Sequence, residues 1–215
     1  MKVVQPSFEI LTECSEPEVT RMIERAARTC YKTEPGDQEA ANKFVRGLIK
    51  SGHLAMIEHY NITVKFICDR GVSHEIVRHR IASYAQESTR YCNYSKDKFG
   101  AEITVIQPNF LEPGTHGYML WEEAMLASEK AYFDLLDWGC SPQQARSVLP
   151  NSLKTEIIVT MNLREWRHFF SLRAIDTPTN HPHPQMKQSA APVLAEFKRV
   201  FPIFFEDIVE VPSGV

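Results

Sequence analysis

No two of the five cysteines stand as Cys-x-x-Cys; Cys14, Cys30, Cys68, Cys92 and Cys140 are odd in number and scattered. That excludes a zinc ribbon and argues against a disulfide frame, so reduced thiols in a cytoplasmic protein are expected. No apolar run is long enough to cross a membrane, and the opening MKVVQPSFEI lacks the apolar stretch of a signal peptide. Glycine-rich phosphate loops of the GxGxxG or GxxxxGKS/T type are missing, so any nucleotide is held by another device. No nucleophile elbow or Ser–His–Asp order is legible. His181 and His183 in HPHP have no Cys or carboxylate at ligand spacing, so no metal is expected. A basic excess is absent too. Lys and Arg number 24 against 27 Asp and Glu, a formal charge of −3, which argues against bulk binding to nucleic acid.

What is present is an ordinary globular composition in 215 residues, enough for a sizeable core in a single domain spanning 1–215. SEPEVTRMIERAARTCY reads as a helix opened by a Ser15–Glu18 capping box with Pro17 in its first turn. DQEAANKFVRGLIKSG reads as a second helix, with Gly52 just past its end. NITVKFICD alternates as a half-buried strand, and AEITVIQP and SLKTEIIVTM read as two more. YMLWEEAMLASEKAYFDLLDWG is a long helix stopping at Gly139, and SPQQARSVLP a short one with Ser141 as cap. Asn162 caps NLREWRHFFSLR, with Glu165 at the third helical position. A last helix starts near Gln185 and is interrupted near Pro192 and Pro202. The fold class expected is α+β: a small, mostly antiparallel sheet covered by helices.

The unusual stretch is VRHRIASYAQESTRY, residues 77–91, where three arginines face one acid. Ser73 reads as the cap of a short helix, which puts Arg78, His79 and Arg80 in its body. Successive helical residues turn by about 100°, so Arg78 and Arg80 would point roughly 200° apart. The helix end then enters one large ligand, or its faces serve two ligands, or it lies at a subunit boundary. Guanidinium forks match phosphate oxygens, and Gln86 can pair with an amide-like base edge, which suits a nucleotide. Farther on, Arg146, Asn162, Arg164, Arg167, His168 and Arg173 form a second polar group. Arg167 reads as a surface charge, Arg173 as partly buried after FFSL, and His59 as a core or strand-edge histidine. Ser88 reads as a hydrogen-bond donor to phosphate. The residues alone leave open an enzyme, a flavin or nucleotide module without turnover, and a nucleic-acid binder.

RHRIASYAQESTRY resembles the signature of the flavin-dependent thymidylate synthases: Arg78, His79, Arg80, seven residues, then Ser88, followed by Arg90 and Tyr91. Gly52, His53, Glu58 and His59, the ARSVLP with Arg146, NLREWRHFFSLR and HPQMK fit in the same order along most of the chain. The resemblance implies a homotetramer with active sites between subunits. It also implies FAD, NADPH as hydride source, methylenetetrahydrofolate as carbon donor and dUMP as acceptor. By the same resemblance, flavin contacts fall on His53, Ala55, Arg78, His79, Arg80, Gln86, Asn162, Leu163, Arg164, His168 and His183. The dUMP contacts fall on Glu75, Ile76, Val77, Arg78, Gln86, Glu87, Ser88, Thr89, Arg90, Arg146 and Arg173. Arg173 takes the position of the arginine that polarises the uracil ring. No cysteine follows a proline, so no thiol is expected to attack the ring. The chain departs from the family at Ala85-Gln86, where Asn-Glu is common; the side-chain contact from 85 is lost and Gln86 is neutral.

Overall fold

Helix starts follow the capping residues. A computed structural model describes residues 1–96 and 100–210. Helix α1, Glu16–Thr29, opens on the expected reciprocal box: the Ser15 amide donates to Glu18 Oε2 at 2.8 Å. Helix α2, Gln38–Lys50, is capped by Asp37, and Gly52 follows it at φ 74°, a conformation that a Cβ would strain. Helix α4 is His116–Asp137 and α5 is Pro142–Ala145, extended by one 3-10 turn at Arg146–Val148. Helix α6, Leu163–Arg173, starts where Asn162 accepts from the Glu165 amide at 2.8 Å. Helix α7, Pro184–Val200, runs through Pro192 without interruption; the break comes at Phe201. Pro202 disfavours helical backbone at the residue before it and opens α8, Pro202–Phe205.

The strands are β1 Lys2–Val4, β2 Ser7–Ile10, β3 Asn61–Asp69, β4 Ala82–Gln86, β5 Thr104–Ile106 and β6 Lys154–Asn162. Strands β2-β3-β6-β4, in that order, form the small sheet, and β1 pairs in parallel with β5. A mixed helix-and-strand architecture with a small antiparallel sheet agrees with the expected class. In β3 the alternation is obeyed, with Ile62, Val64, Phe66 and Cys68 all buried.

The expected placement of Arg78, His79 and Arg80 in a helix body is corrected. Asp69, not Ser73, caps the short helix Arg70–Ile76, α3: its carboxylate accepts from the Val72 amide at 2.6 Å. The helix therefore starts early, at Arg70, and ends at Ile76. Ser73 lies inside it, its hydroxyl donating to the Arg70 carbonyl at 2.9 Å. Arg78 falls in the following turn, and His79 and Arg80 in irregular chain leading to β4. The opposed directions deduced from a helical step do not apply. His59 is exposed at the end of a 3-10 turn, Leu54–His59, rather than in the core.

The chain divides into two compact units. One comprises Met1–Ser7, Phe66–Arg78 and Ala85–Ile158; the other Phe8–Lys65, His79–Tyr84 and Val159–Val215. The first is built around Tyr94, Ile103, Val105, Met125, Tyr132, Ala145 and Leu153. In the second, Trp166, Phe169, Phe170, Phe197, Phe201, Phe204 and Phe205 are essentially fully buried, many ring to ring. The Trp166 indole donates to the Ile62 carbonyl at 3.0 Å, so its burial leaves no orphan donor. Burying such a side chain contributes about 1.5–3 kcal/mol each, which makes α6 a rigid platform for whatever its polar face carries. Among the described residues no helix is long and apolar enough to cross a membrane.

Candidate functional site

The polar face of α6 borders a cavity of about 630 Å³ in the second unit. Asn162, Arg164, Glu165, Arg167, His168 and Ser171 come from the helix and its cap. Leu54 and Glu58 come from the 3-10 turn ahead of β3, Ile81 from just after the Arg-His-Arg triplet, and Ile208 from the chain beyond α8. The helix N-terminus brings partial positive charge, and Arg164 and His168, four residues apart, share one face. Arg164 holds Glu58 at 2.6 Å across 106 residues of sequence. Arg167 is no loose surface charge: its two Nη atoms reach the two Asp207 oxygens at 2.6 Å each, and Nη1 also donates to the Phe204 carbonyl.

His79 is 4 % exposed, the one buried member of its triplet; Arg78 and Arg80 are exposed. Its Nδ1 lies 3.0 Å from Glu165 Oε1, and its Nε2 accepts from Arg173 Nε at 3.3 Å. The ring meets Phe169 and His168 edge-on at 5.0 and 5.5 Å. Tyr84 donates its hydroxyl to the His79 carbonyl, and burial pushes that phenol up to about 12. Burial also lowers the His79 pKa; Glu165 works against it, while Arg173 and His168 add to it. Arg173 is half-buried, as expected, at the last position of α6. His79, Glu165 and His168 could bring three ligand atoms within 4.8 Å of one another. Both ring nitrogens of His79 are already engaged, one of them with a guanidinium, which disfavours a further cation there.

The first unit holds the hydroxyl-rich part. The Arg146 guanidinium donates to Thr89 Oγ1 at 3.2 Å. Ser88 anchors a turn, its carbonyl accepting from the Tyr91 and Cys92 amides and its Oγ from the Arg90 amide. Arg90 stands 5.3 Å over the Tyr91 ring. Gln86 donates through Nε2 to Ser73 Oγ at 2.8 Å and Thr155 Oγ1 at 3.2 Å. Glu87 accepts from Tyr94 and Lys154, at 3.0 and 3.3 Å.

Of the residues singled out by sequence, Asn162, Arg164 and His168 meet at the α6 cavity. Glu75, Gln86, Glu87, Ser88, Thr89, Arg90 and Arg146 belong to the first unit, with Arg78 at its edge in sequence. Ile76 and Leu163 are fully buried, backbone included. His53, Ala55, Val77 and His183 are exposed, and His183 caps α7. Sequence reasoning missed Glu165 as a site residue because an acid three places after a capping Asn reads as a cap. Ile81 was missed as an ordinary apolar residue; its 67 % exposure beside polar groups is visible only in three dimensions.

A family model described as "Thymidylate synthase complementing protein" matches residues 11–203. A flavin-dependent thymidylate synthase of Geobacter sulfurreducens is 34% identical over 92% of this chain and 84% of its own length. The chain belongs to the flavin-dependent thymidylate synthase family. Another enzyme of that name, from Mycolicibacterium gilvum, is 33% identical over 86% of this chain and 78% of its own. One from Pyrococcus furiosus is 38% identical over 66% and 59%. Among solved structures, a UMP/dUMP methylase, PolB of Streptomyces cacaoi bound with 5-Br UMP, superposes with a TM-score of 0.77 at 22% identity. It covers 95% of this chain and 94% of its own. That likeness establishes the fold of this member of the family.

Proposed function

We propose that this chain methylates dUMP to dTMP with FAD as cofactor, methylenetetrahydrofolate as carbon donor and NADPH as hydride source. The observation that carries the reading is the convergence of three separated family motifs on one cavity. Leu54 lies within the His53–Ala55 segment, Ile81 follows the Arg-His-Arg triplet, and Asn162, Arg164 and His168 open α6. Guanidinium and imidazole groups beside apolar Leu54, Ile81 and Ile208 suit a ligand with a phosphate end and a flat ring, as FAD has. The residues that would hold it are His53, Ala55, Arg78, His79, Arg80, Gln86, Asn162, Leu163, Arg164, His168 and His183. When bound, the flavin supplies the reducing equivalents that turn the transferred carbon into a methyl group.

The chain's own residues do the rest. Ser88, Thr89, Arg90 and Arg146 bind the dUMP phosphate, with Glu75 to Arg78, Gln86 and Glu87 around the nucleotide. Arg173 places a guanidinium beside the uracil, stabilising negative charge as C5 becomes nucleophilic. Burial raises the Cys68 thiol far above its ordinary pKa, which suits activation without that thiol. The whole chain acts as one domain, in a cytoplasmic homotetramer with active sites between subunits. Exposed Met119, Leu120 and Leu126 on α4, and Trp138 after it, favour burial against further copies.

Anaerobic incubation of FAD-loaded protein with dUMP, methylenetetrahydrofolate and NADPH should yield dTMP. Purified protein should be yellow. Colourless protein that takes up no added FAD, or loaded protein that forms no dTMP, would overturn the reading.

A further inference from the structure

Both ring nitrogens of His79 have a partner, and the partners dictate where the proton sits. Nε2 lies 3.3 Å from Arg173 Nε. A guanidinium is a donor only, so Nε2 must accept and carry no hydrogen. The proton of the neutral ring is then on Nδ1, which points at Glu165 Oε1, 3.0 Å away. A carboxylate can only accept. The result is one directed chain: Arg173 Nε–H to His79 Nε2, and His79 Nδ1–H to Glu165. A doubly protonated ring would turn an N–H against the guanidinium and break it. Burial, with Arg173 and His168, keeps the ring toward the neutral form.

The far end of this chain is fixed by the backbone. Glu165 is buried in the first turn of α6, where its own amide donates to Asn162 Oδ1 at 2.8 Å. Phe169 holds the ring edge-on, and the Tyr84 hydroxyl holds the His79 carbonyl. Simple folding does not call for such an arrangement, because well-packed apolar residues in place of a buried polar pair are often as stable.

We propose that Glu165 is a positioning residue for Arg173: its carboxylate sets the tautomer and plane of His79, and His79 in turn orients the guanidinium. This rests on the reading that Arg173 acts on uracil in the proposed reaction. No proton moves along the chain; it transmits direction. A donor already aimed needs no reorganisation as charge develops, whereas an error of about 1 Å can cost about 10²-fold in rate.

The test uses full-length FAD-loaded protein labelled with ¹⁵N-histidine, together with Glu165→Gln and Glu165→Ala. Nitrogen NMR of the unmodified protein should show His79 as the neutral Nδ1–H tautomer. Glu165→Gln keeps an acceptor oxygen, so it should retain that tautomer and most of the rate. Glu165→Ala should lose the tautomer preference and slow single-turnover flavin oxidation by roughly 10–100-fold, with dUMP affinity little changed. In an Arg173→Ala background the same replacement should add almost nothing, since residues acting through one another are non-additive. An Nε2–H tautomer in the unmodified protein would overturn the proposal, and so would an equal loss from Glu165→Ala with and without Arg173. Stoichiometric uptake of Zn²⁺ that depends on Glu165 would overturn it as well, replacing an orienting chain with a metal site. Failure of the unmodified protein to form dTMP would instead sink the function reading, and is seen separately from the tautomer.

Discussion

Thr89 Oγ1 accepts a 3.2 Å hydrogen bond from Arg146 Nη1, joining residues 57 positions apart. Thr89 is buried and Arg146 exposed, so the hydroxyl steadies a guanidinium that stays accessible. A hydrogen bond to a charged group is worth about 1.5–3 kcal/mol. Arg146→Ala should therefore weaken dUMP binding by about 10–100-fold while flavin is retained. Thr89→Val, which leaves the charge in place, should weaken it less. Calorimetric titration decides; unchanged affinity in Arg146→Ala would remove it from the phosphate site.

Arg173 should separate chemistry from binding. Contact that strengthens as the ring gains charge lowers the barrier, while uniform contact mainly changes KM. Arg173→Ala should keep its flavin and lose roughly 10²-fold or more in turnover. Arg173→Lys should rescue poorly: an ammonium cannot reproduce the planar fork nor the Nε–H that meets His79. Arg90→Ala should instead show chiefly as weaker dUMP affinity. Arg173→Ala with an unchanged single-turnover rate would show that the guanidinium does not activate the ring.

Arg167 should matter for stability. Its fork closes on Asp207 and it also satisfies the Phe204 carbonyl. Asp207 is about half exposed, so solvent screening keeps the worth of the pair near 1 kcal/mol. Arg167→Ala should lower the melting midpoint by about 2–4 °C. The Arg167 hydrogen bond lowers the Asp207 pKa below its ordinary 3.8. Its contribution is thus full above 3.8 and fades as pH falls through the lower folded value. A midpoint unmoved by the replacement at pH 7 would show that this pair is inert.

His79 should give the fold an acid edge. Burial holds its pKa below the ordinary 6.5 when folded, so the unfolded chain binds more protons between the two values. Stability should be full above about 6.5 and decline as pH falls toward the folded value. The facing groups are Glu165, which opposes the effect, and Arg173 and His168, which reinforce it. Thermal melts from pH 7 to 5 should show a shallower slope in His79→Asn than in the unmodified protein. Parallel slopes would place the acid sensitivity elsewhere.

Helices were legible because their ends are local chemistry: Ser15 with Glu18, Asn162 with Glu165, and Gly52 and Gly139 after the last turns all act as read. Strand β3 was legible for a similar reason, since alternation alone assigns its buried face. Strands β1, β2 and β4 were not. They are three to five residues long, and Ala82, Ser83 and Ala85 give β4 little apolar contrast. The signature triplet was misplaced because Ser73 reads as the helix cap, whereas Asp69, four residues earlier, takes that place through its carboxylate acceptor. The site was half legible. Motif order selected Asn162, Arg164 and His168, but the pairing of Glu165 with a histidine 86 positions earlier is tertiary and leaves no trace in spacing.

The burial of Cys68 on β3 also gives the protein an internal clock for opening. Its thiol is sealed and pushed far from ionisation, while Cys30 stands exposed at the end of α1. An alkylating reagent reacts with thiolate, so it should modify Cys30 in the native state and reach Cys68 only when β3 separates from its neighbours. The lag between the two modifications, followed by mass spectrometry, measures how often that strand is released.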